Sequence, residues 1–127
     1  MDKPHVLIVE DNKINALVLR KALEKEYECR HVINDTQAFQ AVQEAPYRVI
    51  LMDINLGGNS LDGVAIMQRI RQNPAFSHVK IFAVTSYANQ GDREKFLRAG
   101  FDAYYPKPIN KNDIREGIRK ALARPSA

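Results

Sequence analysis

Three short runs along the chain are apolar at every position: Val6-Leu7-Ile8-Val9, Val49-Ile50-Leu51-Met52 and Ile81-Phe82-Ala83-Val84. A strand with one face in a core alternates apolar and polar residues, so an unbroken apolar run predicts a strand covered on both sides, as inside a parallel sheet. Each run stops at polar residues able to do chemistry: Glu10 and Asp11 after the first, Asp53 after the second, Thr85 after the third. Two weaker strands are predicted beside them. Cys29 to Ile33 mixes Arg30 and His31 with apolar residues, and Ala103 to Tyr105 is halted by Pro106, so both suit sheet edges.

Between the strands the spacing turns helical. The first helix is predicted to follow a cap at Asn12 and to turn Ile14, Leu17, Val18 and Leu23 inward on one stripe. The second takes Asp35 or Thr36 as its cap and Phe39, Ala41 and Val42 as inward contacts, with Pro46 just past its end. The third runs from Asp62 to Gln72 with Val64, Ile66, Met67 and Ile70 inward, and Pro74 lies beyond it. The fourth, from Asp92 to Ala99 and closed by Gly100, has only Phe96, Leu97 and Ala99 as apolar contacts and is expected to be less firmly packed. The fifth starts near Asn112 or Asp113 and turns Ile114, Ile118 and Leu122 toward the sheet. Strand and helix thus alternate five times, which predicts an α/β fold: an open, doubly wound parallel sheet with right-handed crossovers. No internal repeat or low-complexity segment interrupts it, and Arg124-Pro125-Ser126-Ala127 reads as a frayed tail or a junction to further chain.

Composition narrows the class. At 127 residues and 45% hydrophobic content, the chain is expected to form a single domain over residues 1–127. Polar residues (Asp2, Lys3, His5) lead, and the apolar stretch Val6 to Val9 is too short for a secretory leader or a membrane span, so a soluble cytoplasmic protein is expected. The lone Cys29 has no partner for an internal disulfide, and the three scattered histidines (His5, His31 and His78) suggest no zinc site and no phosphotransfer histidine. The net charge of +4 comes from 19 basic residues interleaved with 15 acidic ones, as in Glu24-Lys25-Glu26 and Asp92-Arg93-Glu94-Lys95, a pattern of solvated helix faces. The densest basic region, Lys111, Arg115, Arg119, Lys120 and Arg124, lacks interleaved aromatics for base stacking, so no direct nucleic-acid binding is expected.

In an open parallel sheet, ligands bind outside the carboxyl ends of the strands, where Glu10, Asp11, Asp53 and Thr85 are predicted to meet. Gathering three carboxylates there is repulsive by an amount on the order of several kcal/mol per pair at intermediate dielectric, which implies a cation. An all-oxygen donor set selects a hard metal. Mg²⁺ (or Mn²⁺) fits best, because it accepts a few carboxylates, keeps several waters and then takes a phosphate oxygen.

Four segments, Val6-Leu7-Ile8-Val9-Glu10-Asp11-Asn12, Leu51-Met52-Asp53-Ile54, Ala83-Val84-Thr85 and Tyr104-Tyr105-Pro106-Lys107-Pro108, resemble the successive signatures of response-regulator receiver domains. Each is common alone; their order and spacing on five strands are specific, and the resemblance spans the whole chain. It implies the flavodoxin-like strand order 2-1-3-4-5 with five helices. It also implies that Asp53 is the phosphoacceptor, that Asp11 and Asp53 ligate Mg²⁺ directly, that Glu10 acts mainly through water, and that Asn55 offers its backbone carbonyl. Lys107 is the implied partner of a phosphoryl oxygen, with a cis Lys107-Pro108 bond, and Thr85 is the implied switch hydroxyl, answered by Tyr104. The partners implied are a sensor histidine kinase or histidine phosphotransfer protein as donor, and a downstream protein reached through the surface of the fourth helix, fifth strand and fifth helix. Such a chain is a monomer or weak homodimer, and its only catalysis is self-phosphorylation and self-dephosphorylation.

The sequence departs from the family pattern after the acceptor. Leu56-Gly57-Gly58-Asn59-Ser60-Leu61-Asp62-Gly63 lacks the usual proline and is longer than is typical, and its paired glycines predict a flexible loop. Tyr87 is bulky for its position and is expected to cover the site partly and slow attack of water.

Other functions fit less well. A phosphatase of the haloacid dehalogenase type shares the aspartate nucleophile and Mg²⁺, but expects a second aspartate where this chain has Asn55. A P-loop enzyme needs a glycine-rich loop ending in Lys-Ser or Lys-Thr. Flavodoxin-like cofactor binding needs a phosphate cradle after the first strand, where Glu10 and Asp11 stand instead. An interaction-only pseudo-receiver keeps the fold, but the complete acidic and lysine set argues against it.

Overall fold

The computed structural model describes residues 3–86 and 89–123. Five parallel strands, β1 (His5–Val9), β2 (Glu28–Val32), β3 (Tyr47–Asp53), β4 (Lys80–Thr85) and β5 (Ala103–Pro106), form one sheet in the order β2-β1-β3-β4-β5. Five α-helices connect or follow them: α1 (Lys13–Leu23), α2 (Asp35–Glu44), α3 (Gly63–Gln72), α4 (Asp92–Ala99) and α5 (Lys111–Ala123), with a single 3₁₀ turn at Pro74–Phe76. Tyr87 and the 124–127 tail lie outside the described residues.

The unbroken apolar runs are central strands with cores on both faces. Leu7, Val9, Ile50, Met52, Ile81 and Ala83 pack with residues of α2, α3 and α4, whereas Val6, Ile8, Val49, Leu51, Phe82 and Val84 pack with residues of α1 and α5. The period of two along each strand sends alternate side chains into opposite layers, so every residue of the run is apolar. β5 is the edge strand that carries Pro106, which needs no ladder donor there.

Three helix predictions are corrected, and the simplest is in α4, where Leu97, expected as an apolar contact, is 36% exposed and only Phe96 is buried. In α1 the buried side chains are Ala16, Leu19, Ala22 and Leu23, while Ile14, Leu17 and Val18 are 74%, 53% and 42% exposed. Of the predicted stripe, only Leu23 faces inward. The inward stripe combines the small Ala16 and Ala22 with Leu19 and Leu23, which leaves Ile14, Leu17 and Val18 on the outer side of the helix. In α2 the cap is Asn34, whose Oδ1 accepts the Gln37 N–H at 2.9 Å, rather than Asp35 or Thr36. Asn12 caps α1 as expected, and Asp62, predicted as the first residue of the third helix, is instead the cap of α3. α5 begins at Lys111, slightly earlier than predicted, with Asn110 Oδ1 accepting from the amides of Asn112 and Asp113.

Candidate functional site

The carboxyl ends of β1, β3 and β4 carry Glu10, Asp53 and Thr85 to one edge of the sheet, where they are only 2%, 4% and 1% exposed. Glu10 and Asp11 follow β1 directly. In the ladder Val9 faces Met52, and Asp53 faces Val84, so Thr85 sits one step past Asp53 on the next strand. One oxygen from each of Glu10, Asp11 and Asp53 lies within 4.8 Å of the others. All three acids predicted to meet are therefore in one cluster, with Asp11 on its exposed side.

Lys107 reaches the cluster from the loop after β5. Its N–H donates to the Thr85 carbonyl at 2.8 Å, continuing the β4–β5 pairing by one step, and the Lys107-Pro108 bond is cis as expected. Its Nζ donates to Glu10 Oε1 at 2.8 Å and lies 3.2 Å from Asp53 Oδ1. Glu10 is fixed from two further directions: Oε2 accepts the Asn12 N–H at 3.3 Å, and its carbonyl accepts a hydrogen bond from His31 Nε2, which must therefore carry the proton.

Burial, closeness to the Glu10 carboxyl and the charge of Glu10 push the Asp53 pKa up from 3.8 to about 7, against the opposing pull of Lys107. Burial also works against the charge of Lys107, but its bond to Glu10 and the charges of Asp53 and Glu10 outweigh this, and its pKa is raised. The protein's own groups thus leave Asp53 short of positive charge. A hard divalent cation fits this deficit, and the donor set is entirely oxygen.

Asn55 follows two residues past Asp53 on the exposed rim. Tyr104, on β5, is half-buried and stacks on Phe96 of α4, with ring centroids 5.9 Å apart and planes at 16°. The Lys107–Ile109 loop and α1 border a groove lined by Glu10, Asn15, Val18, Leu19, Lys107, Pro108 and Ile109.

Several contacts escaped the sequence reading because they run through the backbone. The Gly57 N–H donates to Asp11 Oδ2 at 3.0 Å. Asp35 Oδ2 accepts the Leu61 N–H at 3.0 Å, and the Asp35 N–H donates to Ser60 Oγ at 3.1 Å, so the long loop is tied down despite its two glycines. Gly63 permits the start of α3 to close on the acceptor strand: its N–H donates to the Ile54 carbonyl at 2.9 Å, and a Cβ there would stand 2.2 Å from the Asp53 carbonyl oxygen. The Asp62-Gly63 pair at the helix start was the one available signal for that contact.

Known proteins are similar to this chain over nearly its whole length. The family model described as the response regulator receiver domain matches residues 6–119. The polar-differentiation response regulator DivK of Brucella anthropi is 32% identical over 118 residues, covering 92% of this chain and 94% of that protein. The receiver domain of the sensor histidine kinase PA1611 of Pseudomonas aeruginosa, described with a magnesium ion coordinated in its active-site cleft, superposes with a TM-score of 0.85 at 32% identity, covering 96% of this chain and 99% of that one. A putative response regulator of Chloroflexus aurantiacus gives a TM-score of 0.88 at 25% identity, covering 97% and 100%. Strand order, the gathered acids and these matches over nearly the whole length agree, and the chain belongs to the response regulator receiver family, a phosphorylation-dependent signalling domain of two-component systems.

Proposed function

We propose that residues 1–127 form one receiver domain in which Asp53 accepts a phosphoryl group from a histidine kinase or histidine phosphotransfer protein. The reading rests on one observation: the buried Asp53 carboxyl lies 3.2 Å from the Lys107 ammonium and within 4.8 Å of oxygens from Glu10 and Asp11. An oxygen of Asp53 attacks phosphorus, a new O–P bond forms, and the N–P bond of the phosphohistidine breaks with its electron pair returning to the imidazole. Lys107 stays charged throughout and pairs with a phosphoryl oxygen. When bound, Mg²⁺ or Mn²⁺ supplies positive charge that keeps Asp53 ionised and offsets the charge of the incoming group. Asp11 and Asp53 are the proposed direct ligands, with the Asn55 carbonyl beside them and Glu10 acting through water. The self-dephosphorylation that ends the signal uses the same groups.

Thr85 is the proposed hydroxyl partner of the new phosphoryl oxygens. Tyr104 is the aromatic whose packing on Phe96 responds, altering the α4-β5-α5 face for a downstream protein or a weak homodimer. Phosphorylation adds about 1.5 to 2 negative charges, enough to bias two conformations a few kcal/mol apart. The proposed docking side for the donor is that of α1, where a groove beside Lys107 leads toward the site. There Ile14, Leu17 and Val18 offer an exposed apolar face next to the groove. No described helix is long and apolar enough to cross a membrane. The proposed place of action is the cytoplasm.

Incubation with Mg²⁺ and acetyl phosphate, followed by intact mass measurement, tests the reading. One added phosphoryl group on the native chain and none on Asp53→Asn supports it; equal labelling of both, or labelling of neither, overturns it.

A further inference from the structure

The 57–61 loop makes an unusual pair of connections. At one end the Gly57 amide donates to Asp11 Oδ2 at 3.0 Å, across 46 residues of sequence. The approach is close enough that a Cβ on Gly57 would stand 3.1 Å from that oxygen. At the other end the loop is fastened to the start of α2: the Leu61 N–H donates to Asp35 Oδ2 at 3.0 Å, the Asp35 N–H donates to Ser60 Oγ at 3.1 Å, and the Ser60 hydroxyl donates to the Leu61 carbonyl at 2.8 Å. Between these ends Gly58 turns the chain with φ of +69°, a conformation that glycine adopts without strain. The Leu61 amide also holds the Asp35 carboxyl below its ordinary range, so it is anionic at neutral pH.

Asp11 is otherwise an exposed carboxylate on a loop, free to rotate about its side-chain bonds. A hydrogen bond to one oxygen restricts that rotation, and groups that orient a metal ligand in this way raise metal affinity. The Gly57 amide can do so only if the loop is held in place. Leu56 and Leu61 anchor its two ends in the core, and Asp35 and Ser60 supply its polar fastening, since two adjacent glycines contribute no stiffness of their own.

We propose that Asp35 and Ser60 are positioning residues of the metal site: by clamping the 57–61 loop they hold the Gly57 amide on Asp11 and preset that carboxylate for a divalent cation. The proposal rests on the metal-site reading above and adds that the lengthened loop is part of the site's machinery. It assigns α2, which contributes no ligand, a share in cation affinity.

Mg²⁺ titration by calorimetry of the native chain, Ser60→Ala, Asp35→Ala and Ser60→Thr tests it, with the Gly57 amide followed by ¹⁵N NMR and unfolding measured in EDTA. The expected result is Mg²⁺ affinity weakened by about tenfold in Ser60→Ala and Asp35→Ala, the lower end of the range for partners of metal ligands, and regained in Ser60→Thr, which keeps the hydroxyl. In EDTA the Gly57 amide resonance shifts in the two alanine variants toward the position of an unbonded amide. Unchanged affinity in both alanine variants overturns the proposal, and so does tighter binding, which would mean that the amide competes with the cation. A purely structural clamp would lower the melting temperature while leaving affinity and the Gly57 resonance alone. Failure of the native chain to bind Mg²⁺ at all would instead overturn the metal-site reading, and this inference with it.

Discussion

Replacing Asp53 by asparagine should stabilise the metal-free protein, and do so increasingly as pH rises above the value at which an unfolded aspartate ionises. Burial and the neighbouring Glu10 carboxyl raise its pKa from 3.8 to about 7 in the folded chain, although Lys107 stands 3.2 Å away. Between those two values the folded state keeps a proton that the unfolded chain has given up, so stability falls as pH rises through the window. Below pH 3.8 the two states are alike in this group; above pH 7 the full penalty applies. A window of roughly three pH units at about 1.4 kcal/mol each gives an upper bound of about 4 kcal/mol. The asparagine amide would carry no charge to desolvate, but it leaves Lys107 with one fewer anion, so a gain of about half that bound is expected. For a chain of this size about 2 kcal/mol corresponds to roughly 6–10 °C in Tm. Thermal unfolding in EDTA at about pH 8 should show Asp53→Asn melting higher by that amount; the difference should shrink as pH falls through the window and largely vanish at about pH 3.5. Added Mg²⁺ at the higher pH should stabilise the native chain more than the variant. Equal Tm values at the higher pH, or a gain of the same size at both, would refute the electrostatic account.

Three further perturbations probe other parts of the site. Lys107→Met removes the cation paired with buried Glu10 and Asp53, and should destabilise the metal-free chain by about 3 kcal/mol, with Mg²⁺ restoring part of it in a urea titration. Gly63→Ala places a methyl group 2.2 Å from the Asp53 carbonyl oxygen, so α3 must shift; a loss of about 2 kcal/mol and slower labelling by acetyl phosphate are expected, and unchanged values for both would show that the close approach is not needed. Leu17→Glu lies on the exposed face of α1 and should leave Tm and acetyl phosphate labelling within error while slowing transfer from a phosphohistidine donor at least about tenfold, the loss expected when an apolar contact at an interface is replaced by a charge.

The sheet was legible because three apolar runs without alternation admit little besides strands covered on both faces, and each ended in a residue with chemistry to offer. The cluster of Glu10, Asp11 and Asp53 followed from the rule that parallel strands present their carboxyl ends at one edge of the sheet. The inward face of α1 was misread because two stripes compete at helical spacing: Ile14, Leu17 and Val18 are the more hydrophobic, but Ala16, Leu19, Ala22 and Leu23 are the ones buried. The cap of α2 was missed because Asn34, Asp35 and Thr36 are all competent in sequence, and the choice depends on Leu61, 26 residues away from Asp35, whose amide takes the Asp35 carboxylate. The tie from Gly57 to Asp11 uses a backbone amide, so no side chain announces it. Periodicity reports what an element buries; it does not report which loop amide points at which carboxylate.

Locating the phosphoryl group tests the central claim most directly. After incubation with Mg²⁺ and acetyl phosphate, borohydride reduction converts an acyl phosphate on aspartate to homoserine, which peptide mass spectrometry can assign to a position. The account predicts homoserine in place of Asp53 alone, dependent on the divalent cation and lost when EDTA is present. Homoserine in place of Asp11 or elsewhere, or an unmodified Asp53 in a chain that has taken up phosphate, would contradict it.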